Sequence, residues 1–434
     1  MSYTTIEPSV PRQSLTPEGS WKPRFFSIWI GQQLSWIGSR AGGFALVWWL
    51  TETTGSAQVL ATATLGIIVP QVVLGPVAGA CVDRWNRRLT IIAADTFIAL
   101  VSLCLAYLFW TGSMQIWHVY LVIVARAVGG TFHGPAIVAS TTMLVPKSHL
   151  TRIAGLNQSM SGALQVVGPI LGAFLISVLP VHGVMLLDVG TAVFAVLPLL
   201  FLRIPQPPTE DAGKEEGLAC SIAVAFRFVW HHRGLLYITR LAGFMNFVIN
   251  PVLMLMPLLV TQHFEGNALH LGWLQAATGV GLILGGLVLS TWGGFRRKVV
   301  TMYVGGGLQG LALFVLGTTP PHLFAMAVVA MVANGFFNAL YNGPMSAVIQ
   351  ATVSPGMQGR VLTLLTSVCQ GVYPLSLLIA GPTAEAVGLR VWYIGGGLVV
   401  TAVCFSALLI PSIAHVEERL AIAVGEDSDQ GRLA

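Results

Sequence analysis

The chain alternates long apolar runs with short polar intervals over most of its length. A helix that crosses a membrane needs about 17–25 mostly apolar residues, and twelve runs reach that length. We therefore predict an all-α membrane protein with twelve transmembrane helices. The predicted helices cover 25–50, 57–81, 89–110, 116–143, 153–179, 182–202, 234–261, 270–291, 299–317, 321–349, 361–382 and 389–411.

A longer polar interval after the sixth run divides the chain into two halves. It contains IPQPPTEDAGKEEG, whose proline and glycine residues favour a linker. The segment Leu218–Trp230 that follows is amphipathic and is predicted to lie along the membrane surface. The predicted organisation is an N-terminal tail, a six-helix bundle, a linker, a second six-helix bundle and a C-terminal tail, at 1–24, 25–202, 203–233, 234–411 and 412–434.

Composition supports a membrane protein. Of the 434 residues, 55% are hydrophobic and 9% are charged, whereas a soluble domain carries about 25% charged residues. The polar residues 1–24 precede a first run long enough to remain as a helix, so we expect no cleavable signal peptide. The five cysteines form no CxxC or CxxH pair, so neither a metal site nor a disulfide framework is expected.

The distribution of positive charge predicts the topology. Most of the 22 Lys and Arg residues fall on one side of the membrane if the N-terminus is cytoplasmic. The clearest groups are Arg84, Arg87 and Arg88 after the second run, and Arg296, Arg297 and Lys298 after the eighth. Loops rich in Lys and Arg stay in the cytoplasm. We therefore expect both termini to be cytoplasmic, and the net charge of +5 requires no nucleic-acid partner.

The two halves repeat each other at a fixed spacing of 209 residues. The matching positions are Arg87-Arg88 with Arg296-Arg297, Gly134-Pro135 with Gly343-Pro344, Pro146 with Pro355, Gly162 with Gly371, and Gly172 with Gly381. Because the same spacing relates positions in several helices, we predict two six-helix repeats with a pathway between them.

The most specific local motif ends the second run. Gly75 and Gly79, four residues apart, allow another helix to pack closely. Asp83 follows beside Arg84, Arg87 and Arg88, with which it could form charge-assisted pairs that hold one conformation closed. A charged turn that only sets topology is the alternative.

On these residues the sequence resembles the major facilitator superfamily, whose loop between helices 2 and 3 has the pattern GxxxD-R-x-x-R-[RK]. Arg126 to Gly130 is similar to the R-x-x-x-G element of helix 4, and Gly162, Gly168, Pro169 and Gly172 are similar to its antiporter motif in helix 5. Within the superfamily, stretches such as FFSIWIGQQLSWIGS and WWLTETTGSAQVLATA resemble the macrolide-efflux branch of drug:proton antiporters. The corresponding loop of the second half, at 292–298, lacks the aspartate, which suggests a switch based mainly on the first half.

The resemblance implies a secondary transporter whose helices 1, 4, 7 and 10 line a central cavity. Those helices carry polar and aromatic residues at helical spacing. Packing between helices is the alternative role for these residues. The cavity candidates are Gln33, Trp36, Arg40, Phe44, Asn246, Asn250, Asn334, Asn338 and Tyr341.

Ionisable residues within the apolar runs are candidates for proton coupling. Arg126 lies about ten residues into its helix, roughly 15 Å deep at 1.5 Å per residue. A charge at that depth needs a partner or a wet cavity. Asp95 and Asp188 are acids in apolar helices, where loss of water favours the neutral form and allows proton exchange. They could instead cap or tether helix ends, and His133 is a weaker candidate for a proton relay. Arg40 and Arg240 lie nearer helix ends and could reach the interface.

The sequence contains no GxxxxGK[ST], HExxH or GxSxG motif, so neither an ATP-driven pump nor a membrane enzyme is expected. The favoured function is export of drug-like amphiphiles, including macrolides, by proton antiport. The expected partners are a small-molecule substrate, protons and the lipid bilayer, with no cofactor and with a monomer as the functional unit. Export of a siderophore or lysolipid, solute symport, and a non-transporting membrane sensor are the alternatives.

Overall fold

The computed structural model describes residues 21–202, 204, 226–230, 233–353 and 355–409, and all regular structure in these ranges is helical. The first half contains α1 (Trp21–Thr54), α2 (Ala57–Arg84), α3 (Arg87–Trp110), α4 (Ile116–Leu144), α5 (Leu150–Val178) and α6 (Val181–Phe201), with a 3-10 turn at Lys147–His149. The second contains α7 (Arg233–Met254), which continues through Met256–Leu258 and a π-helical turn at Leu259–His263, then α8 (Ala268–Trp292), α9 (Lys298–Thr318), α10 (Phe324–Thr352), α11 (Pro355–Val387) and α12 (Leu389–Leu409).

The twelve predicted runs are confirmed as helices, but several helices extend beyond them. α1 begins at Trp21, inside the predicted N-terminal tail, and α11 is longer at both ends than the predicted 361–382. Hydropathy marks only the part of a helix that crosses lipid, whereas backbone hydrogen bonding continues into the interface. Of the predicted linker and its amphipathic segment, 226–230 are helical and most of the remainder lies outside the described residues, as does the predicted tail 412–434.

Eleven helices in the described ranges are long and apolar enough to cross a membrane, and α1 is not one of them. α1 has 34 residues, so its length is sufficient. Its polar residues lower its hydropathy; Gln32, Gln33 and Ser35 are buried in the bundle. α1 is therefore the twelfth spanning helix by position, and other helices shield its polar side chains from lipid.

The spacing of 209 residues relates all six helices of one half to those of the other. Adding it to the bounds of α1–α6 gives the bounds of α7–α12 within four residues when the π-helical turn is counted with α7. Pro135 in α4 and Pro344 in α10 both lie inside their helices, as the repeat requires. The two halves thus share one helical plan.

Within the part of the chain that the structure describes, the halves meet at one end of the bundle and are separate at the other. We call the end with Arg84–Arg88 and Arg296–Lys298 the basic end, and the end with Ser56, Gln262 and Glu385 the sealed end. One cluster of buried apolar side chains spans both halves, with Leu50, Leu60, Leu258 and Leu377 among its members. Toward the basic end each half has its own cluster, one including Trp21, Ile91 and Leu199 and the other Leu235, Met302 and Leu365.

Small residues bring helices of different halves together toward the sealed end. A Cβ placed on Gly381 of α11 would lie 3.1 Å from the Cβ of Ala61 in α2. A Cβ on Gly272 of α8 would lie 2.7 Å from the Cβ of Ala173 in α5. The pairs α2–α11 and α5–α8 therefore close this end.

Polar contacts reinforce the closure. The carboxylate of Glu385 in α11 accepts hydrogen bonds from Ser56 Oγ and, at 3.1 Å, from the backbone N–H of Gln58. Ser56 is the N-cap of α2, so Glu385 lies at the positive end of that helix dipole. Gln262 Nε2 also donates to the carbonyl oxygen of Gly55, at 2.7 Å.

The helix face of α2 that contacts α11 near the sealed end is uncovered near the basic end. Gly79 follows Ala61 by eighteen residues, which is five turns at 3.6 residues per turn, so both lie on one face. Gly75 is one turn earlier on nearly the same face. Among the described residues, a Cβ on Gly75 or Gly79 would have no neighbouring atom within 4 Å. The space between the halves therefore opens at the basic end.

Replacing Glu385 with Gln should weaken the closure. The neutral amide loses the attraction of a carboxylate to an exposed helix N-terminus, which is about 0.3–1 kcal/mol. The population separated at the sealed end should rise roughly two- to fivefold. Double electron–electron resonance between labels at Thr53→Cys and Ala386→Cys, in a background without native cysteines, measures that population. Glu52→Gln removes an exposed acid at the same end as a control, and equal distributions in the two variants would contradict this role of Glu385.

Candidate functional site

A buried ion pair lies inside the first half. Arg126 of α4 contacts Asp188 of α6 and also donates to Ser102 of α3. Ser102 Oγ lies 3.0 Å from Asp188 Oδ2, and Ser39 Oγ of α1 donates to Asp188 Oδ1 at 2.9 Å. The Asp188 side chain is 3% exposed and that of Arg126 is 14% exposed. We call these four residues the upper layer; it joins four helices around one guanidinium.

A second buried polar cluster, the lower layer, consists of Gln32, Asp95 and His133. Gln32 Nε2 of α1 donates to Asp95 Oδ2 of α3 at 2.9 Å. His133 Nε2 of α4 lies 3.0 Å from Gln32 Oε1 and 3.1 Å from Asp95 Oδ1. All three residues are at most 6% exposed. The ring of Trp36, which is half-buried, meets the His133 ring edge to face, with centroids 6.5 Å apart.

The two layers are related by helical geometry. Gln32 and Ser39 are seven residues apart on α1, Asp95 and Ser102 on α3, and Arg126 and His133 on α4. Seven residues are nearly two turns, about 10 Å along each axis. Three helices therefore each contribute one side chain to each layer. Asp95 and Asp188 lie about two turns inside their helices, so neither caps a helix end.

The second half does not repeat either layer. At the spacing of 209 residues, Gly335 is equivalent to Arg126 and Gly397 to Asp188, while Val304 and Leu241 replace Asp95 and Gln32. A Cβ on Gly335 would lie 2.0 Å from the carbonyl oxygen of Thr278, so α10 and α8 are in close contact there. Close backbone packing in one half thus takes the place of ionic contacts in the other.

The arginines of the α2–α3 loop connect helices of the first half. Arg87 donates to the carbonyl oxygen of Ala139 in α4 at 3.1 Å. Arg88 donates to those of Leu199 and Leu200 near the C-terminus of α6, at 2.5 Å and 2.7 Å. A cation at a helix C-terminus is favourable. The side chain of Asp83 is outside the described residues, so its predicted pairing with these arginines stays a prediction; Arg84 is exposed.

The cavity candidates of the first half differ in their burial and contacts. Gln33 is buried, and its Oε1 has no hydrogen-bond partner within the described residues. Phe44 packs against α5, since a Cβ placed on Gly172 would lie 2.9 Å from the Cβ of Phe44. Arg40 is exposed, and its Cβ would lie 3.3 Å from a Cβ on Gly168. In the antiporter motif Gly168 and Gly172 thus pack against α1, whereas no atom lies within 4 Å of a Cβ on Gly162.

Pro169, the remaining residue of that motif, faces the other half. Its carbonyl oxygen would lie 3.2 Å from a Cβ on Gly272 in α8. The motif therefore supports two packing contacts of α5, one within its own half and one across the boundary between halves.

The candidates of the second half also differ in exposure. Asn246 and Asn250 are half-buried on α7, and Asn250 Nδ2 donates to Asn246 Oδ1 at 3.3 Å. Asn338 is half-buried and accepts from Asn342 at 3.2 Å. Asn334 and Tyr341 are buried, and Tyr341 packs against Gly306 of α9. Of the five, the three with partial exposure are better placed to line a space between the halves.

Arg240 has a different environment from that of the buried layers. It is exposed, and its guanidinium lies 5.8 Å from the centroid of the Trp230 ring. This cation–π geometry connects α7 to the helical segment at 226–230. A role at the membrane interface fits these contacts better than one in the cavity.

Sequence reasoning missed three members of the layers: Gln32, Ser39 and Ser102. The available signal was the seven-residue spacing shared by Gln32/Ser39, Asp95/Ser102 and Arg126/His133. The cavity candidates include Gln33 and not its neighbour Gln32, because the sequence does not show how the helix is rotated and therefore which of two adjacent residues faces inward.

Two repeats of six membrane-spanning helices, joined at one end and open at the other, form a multi-pass membrane protein of the transporter class. The sequence profile described as Major Facilitator Superfamily matches residues 28–373. The chain belongs to this superfamily.

Curated relatives match nearly the whole chain. It is 29% identical over 399 residues to Macrolide efflux protein A of Streptococcus pyogenes, an alignment covering 92% of this chain and 98% of that protein. It is 26% identical over 384 residues to Multidrug efflux pump Tap of Mycobacterium tuberculosis, covering 84% and 87%.

Solved structures share the fold at low sequence identity. A mutant of the nucleoside transporter NupG aligns with a TM-score of 0.69 at 13% identity, covering 88% of this chain and 99% of that one. A bacterial homologue of the human lysosomal transporter Spinster, in an inward-facing conformation, aligns with a TM-score of 0.66 at 16% identity, covering 93% and 98%.

Neutralising one member of the Arg126–Asp188 pair should cost more stability than neutralising both. Each single variant, Arg126→Gln or Asp188→Asn, leaves an uncompensated buried charge, a cost of about 3–5 kcal/mol. The double variant should recover most of that loss. Thermal unfolding of the purified protein in micelles measures the stability of each variant. The control Ser102→Ala is expected to lose about 1 kcal/mol of stability. Additive losses in the double variant would show that the two charges do not stabilise each other.

Proposed function

We propose that this protein exports drug-like amphiphiles, macrolides among them, in exchange for protons. The names of the two relatives support the substrate class, since one is a macrolide efflux protein and the other a multidrug efflux pump. The observation that carries proton coupling is the burial of two acids, Asp95 and Asp188, in polar layers of the first half.

The orientation follows from charge. Loops rich in Lys and Arg stay in the cytoplasm, so the basic end is cytoplasmic and so are both termini. The structure then corresponds to an inward-open state, in which substrate enters the space between the halves from the cytoplasm. The sealed end is the outer gate, held by α2–α11, α5–α8 and Glu385.

Alternating access requires closure of the basic end and opening of the sealed end. The α2 face that carries Ala61, Gly75 and Gly79 is the surface on which α11 rocks, because its small residues permit contact at either end. Asp83, Arg84, Arg87 and Arg88 form the switch at the end of this face. The bonds of Arg87 and Arg88 to α4 and α6 make the first half move as one body.

Charge balance connects the proton to substrate movement. Asp188 is the counter-ion of the Arg126 guanidinium. A proton on Asp188 would remove that counter-ion, and Arg126 would then need another partner, such as water in the cavity or a polar group of the substrate. Asp95 in the lower layer is the other acid that can exchange a proton. Export is driven when the proton is taken up in the outward-open state and released in the inward-open one.

A bulky residue at Gly79 should trap the inward-open state. Gly79→Val has space in this structure, so the fold should be retained, but the valine would obstruct contact with α11 during closure. We expect at least a tenfold loss of transport, with thermal stability near that of the wild type. Drug export from cells and unfolding of the purified protein measure the two effects.

The control for that variant is Gly190→Val on α6, where a Cβ also meets no atom within 4 Å. It should transport normally. Wild-type export by Gly79→Val would contradict the assignment of this α2 face as a closing surface.

Proton antiport is tested in proteoliposomes that contain a pH-sensitive dye. Adding a macrolide should move protons in the direction opposite to the drug, and an imposed pH gradient should drive drug accumulation. One of the variants Asp95→Asn and Asp188→Asn removes the proton carrier. That variant should abolish drug accumulation driven by the pH gradient, but it should still exchange drug down the drug's own gradient. Arg126→Lys should retain part of the activity and Arg126→Ala none, because lysine supplies a cation without the planar fork.

The alternatives predict different results in the same vesicles. Drug movement that follows a sodium gradient and ignores pH would refute proton coupling. Movement of a lysolipid or siderophore but not of any macrolide would replace the substrate class, and uptake with the proton would indicate symport. Absence of movement for all of them would favour a sensor.

A further inference from the structure

With Asp95 as a carboxylate, the lower layer has one arrangement of donors and acceptors that satisfies all three side chains. A carboxylate only accepts hydrogen bonds, so the Gln32 amide directs its NH2 group to Asp95. The carbonyl oxygen of the same amide then faces His133 Nε2. Because that oxygen also only accepts, Nε2 must carry a hydrogen, which Asp95 Oδ1 shares at 3.1 Å.

This arrangement determines where a further proton can bind. With a hydrogen fixed on Nε2, the other ring nitrogen, Nδ1, is the position that gains or loses one. The lower layer then changes between a net charge of −1 and zero while its three hydrogen bonds persist. The upper layer differs, since a proton on Asp188 would remove the counter-ion of Arg126 and break the ion pair that joins α4 to α6.

The charged groups near His133 permit such a change. α1 presents Gln32 and Trp36, and α3 presents Asp95, with Arg87 at its start. Arg126 lies two turns away on α4 itself and is neutralised by Asp188. The charged residues of α2, Asp83 and Arg84, are at its basic end; Arg84 is exposed and the side chain of Asp83 is outside the described residues. Asp95 is therefore the one described charge in hydrogen-bonding contact with the imidazole.

We propose that Asp95 and His133 form the protonation site of this protein and that Gln32 is its positioning residue. Gln32 holds the Nε2–H form of His133, so that the proton exchanged in each cycle binds at Nδ1. The Arg126–Asp188 pair serves the first half as an ionic contact between α4 and α6. The role of this proton in transport rests on the proposed antiport, whereas its binding site and the role of Gln32 do not.

Trp36 of α1 is the aromatic neighbour of this site. Its half-buried ring lies edge to face with His133. A charged imidazolium interacts with an aromatic neighbour differently from a neutral imidazole. Protonation of His133 thus changes its interaction with a side chain of α1 that lies one helix turn from Gln32.

Nitrogen NMR of the full chain in lipid nanodiscs, with ¹⁵N-labelled histidine, tests the site without any transport. The signals of His133 are identified by their loss in His133→Gln. At high pH we expect the Nε2–H form, and on lowering the pH we expect the second proton on Nδ1. An Nδ1–H form at high pH, or a His133 that does not titrate, would overturn the proposal.

A matched pair of variants tests the positioning residue. Gln32→Glu places a second carboxylate against His133, which should raise its proton affinity roughly tenfold or more. Gln33→Glu adds the same charge to the next residue of α1, also buried, but outside the lower layer, and should have a smaller effect. Equal shifts in both variants would contradict a specific role for Gln32. If Gln32→Glu does not fold, Gln32→Met, which has no amide, should lose the uniform Nε2–H form.

Proteoliposomes then separate this inference from the proposed function. His133→Gln and Asp95→Asn should abolish substrate-driven proton flux and keep drug exchange, whereas Asp188→Asn should not show that combination. Normal proton flux in His133→Gln would refute the lower layer as the coupling site and leave antiport intact. Wild-type vesicles without any proton flux would instead refute the proposed antiport.

Discussion

An arginine in the middle of a membrane-spanning helix must be neutralised by the protein, because lipid cannot solvate it. Arg126 meets this requirement through Asp188, and the two hydroxyl groups of Ser39 and Ser102 complete the shell around that carboxylate. Those residues come from α1, α3, α4 and α6. One buried charge thus fixes four helices of the first half relative to one another, and the lower layer is built on three of the same helices.

The second half is stabilised by a different means, although its helices follow the same plan. Glycines such as Gly335 and Gly397 stand where the first half has its ion pair, and they allow backbones to touch. Dispersion between close-packed helices does not change with protonation, whereas a buried acid–base layer does. The buried ion pair and the Asp95–His133 cluster thus lie in one half, and a repeated architecture does not imply repeated chemistry.

Helix positions could be predicted from the sequence because contact with lipid leaves a continuous apolar signal. The depth of Arg126 and the burial of Asp95 and Asp188 were also accessible, since a charged residue within such a run is conspicuous. The partner of Arg126 could not be predicted, because nothing in the local sequence shows that Arg126 contacts Asp188 and not Asp95. The choice between Gln32 and Gln33 depends on about 100° of helix rotation, which only the packing of neighbouring helices decides.

The polar face of α1 has a consequence for biogenesis. α1 leaves the ribosome before α3 and α6, and it lacks the hydropathy of the eleven other spanning helices in the described ranges. Its partners Asp95 and Asp188 are synthesised roughly 60 and 150 residues after Gln32 and Ser39, at a rate of about 5–20 residues per second. For several seconds, therefore, α1 has no partner in the bilayer for these groups. Stable insertion of α1 must await α3 and α6, so the first half assembles cooperatively and not helix by helix.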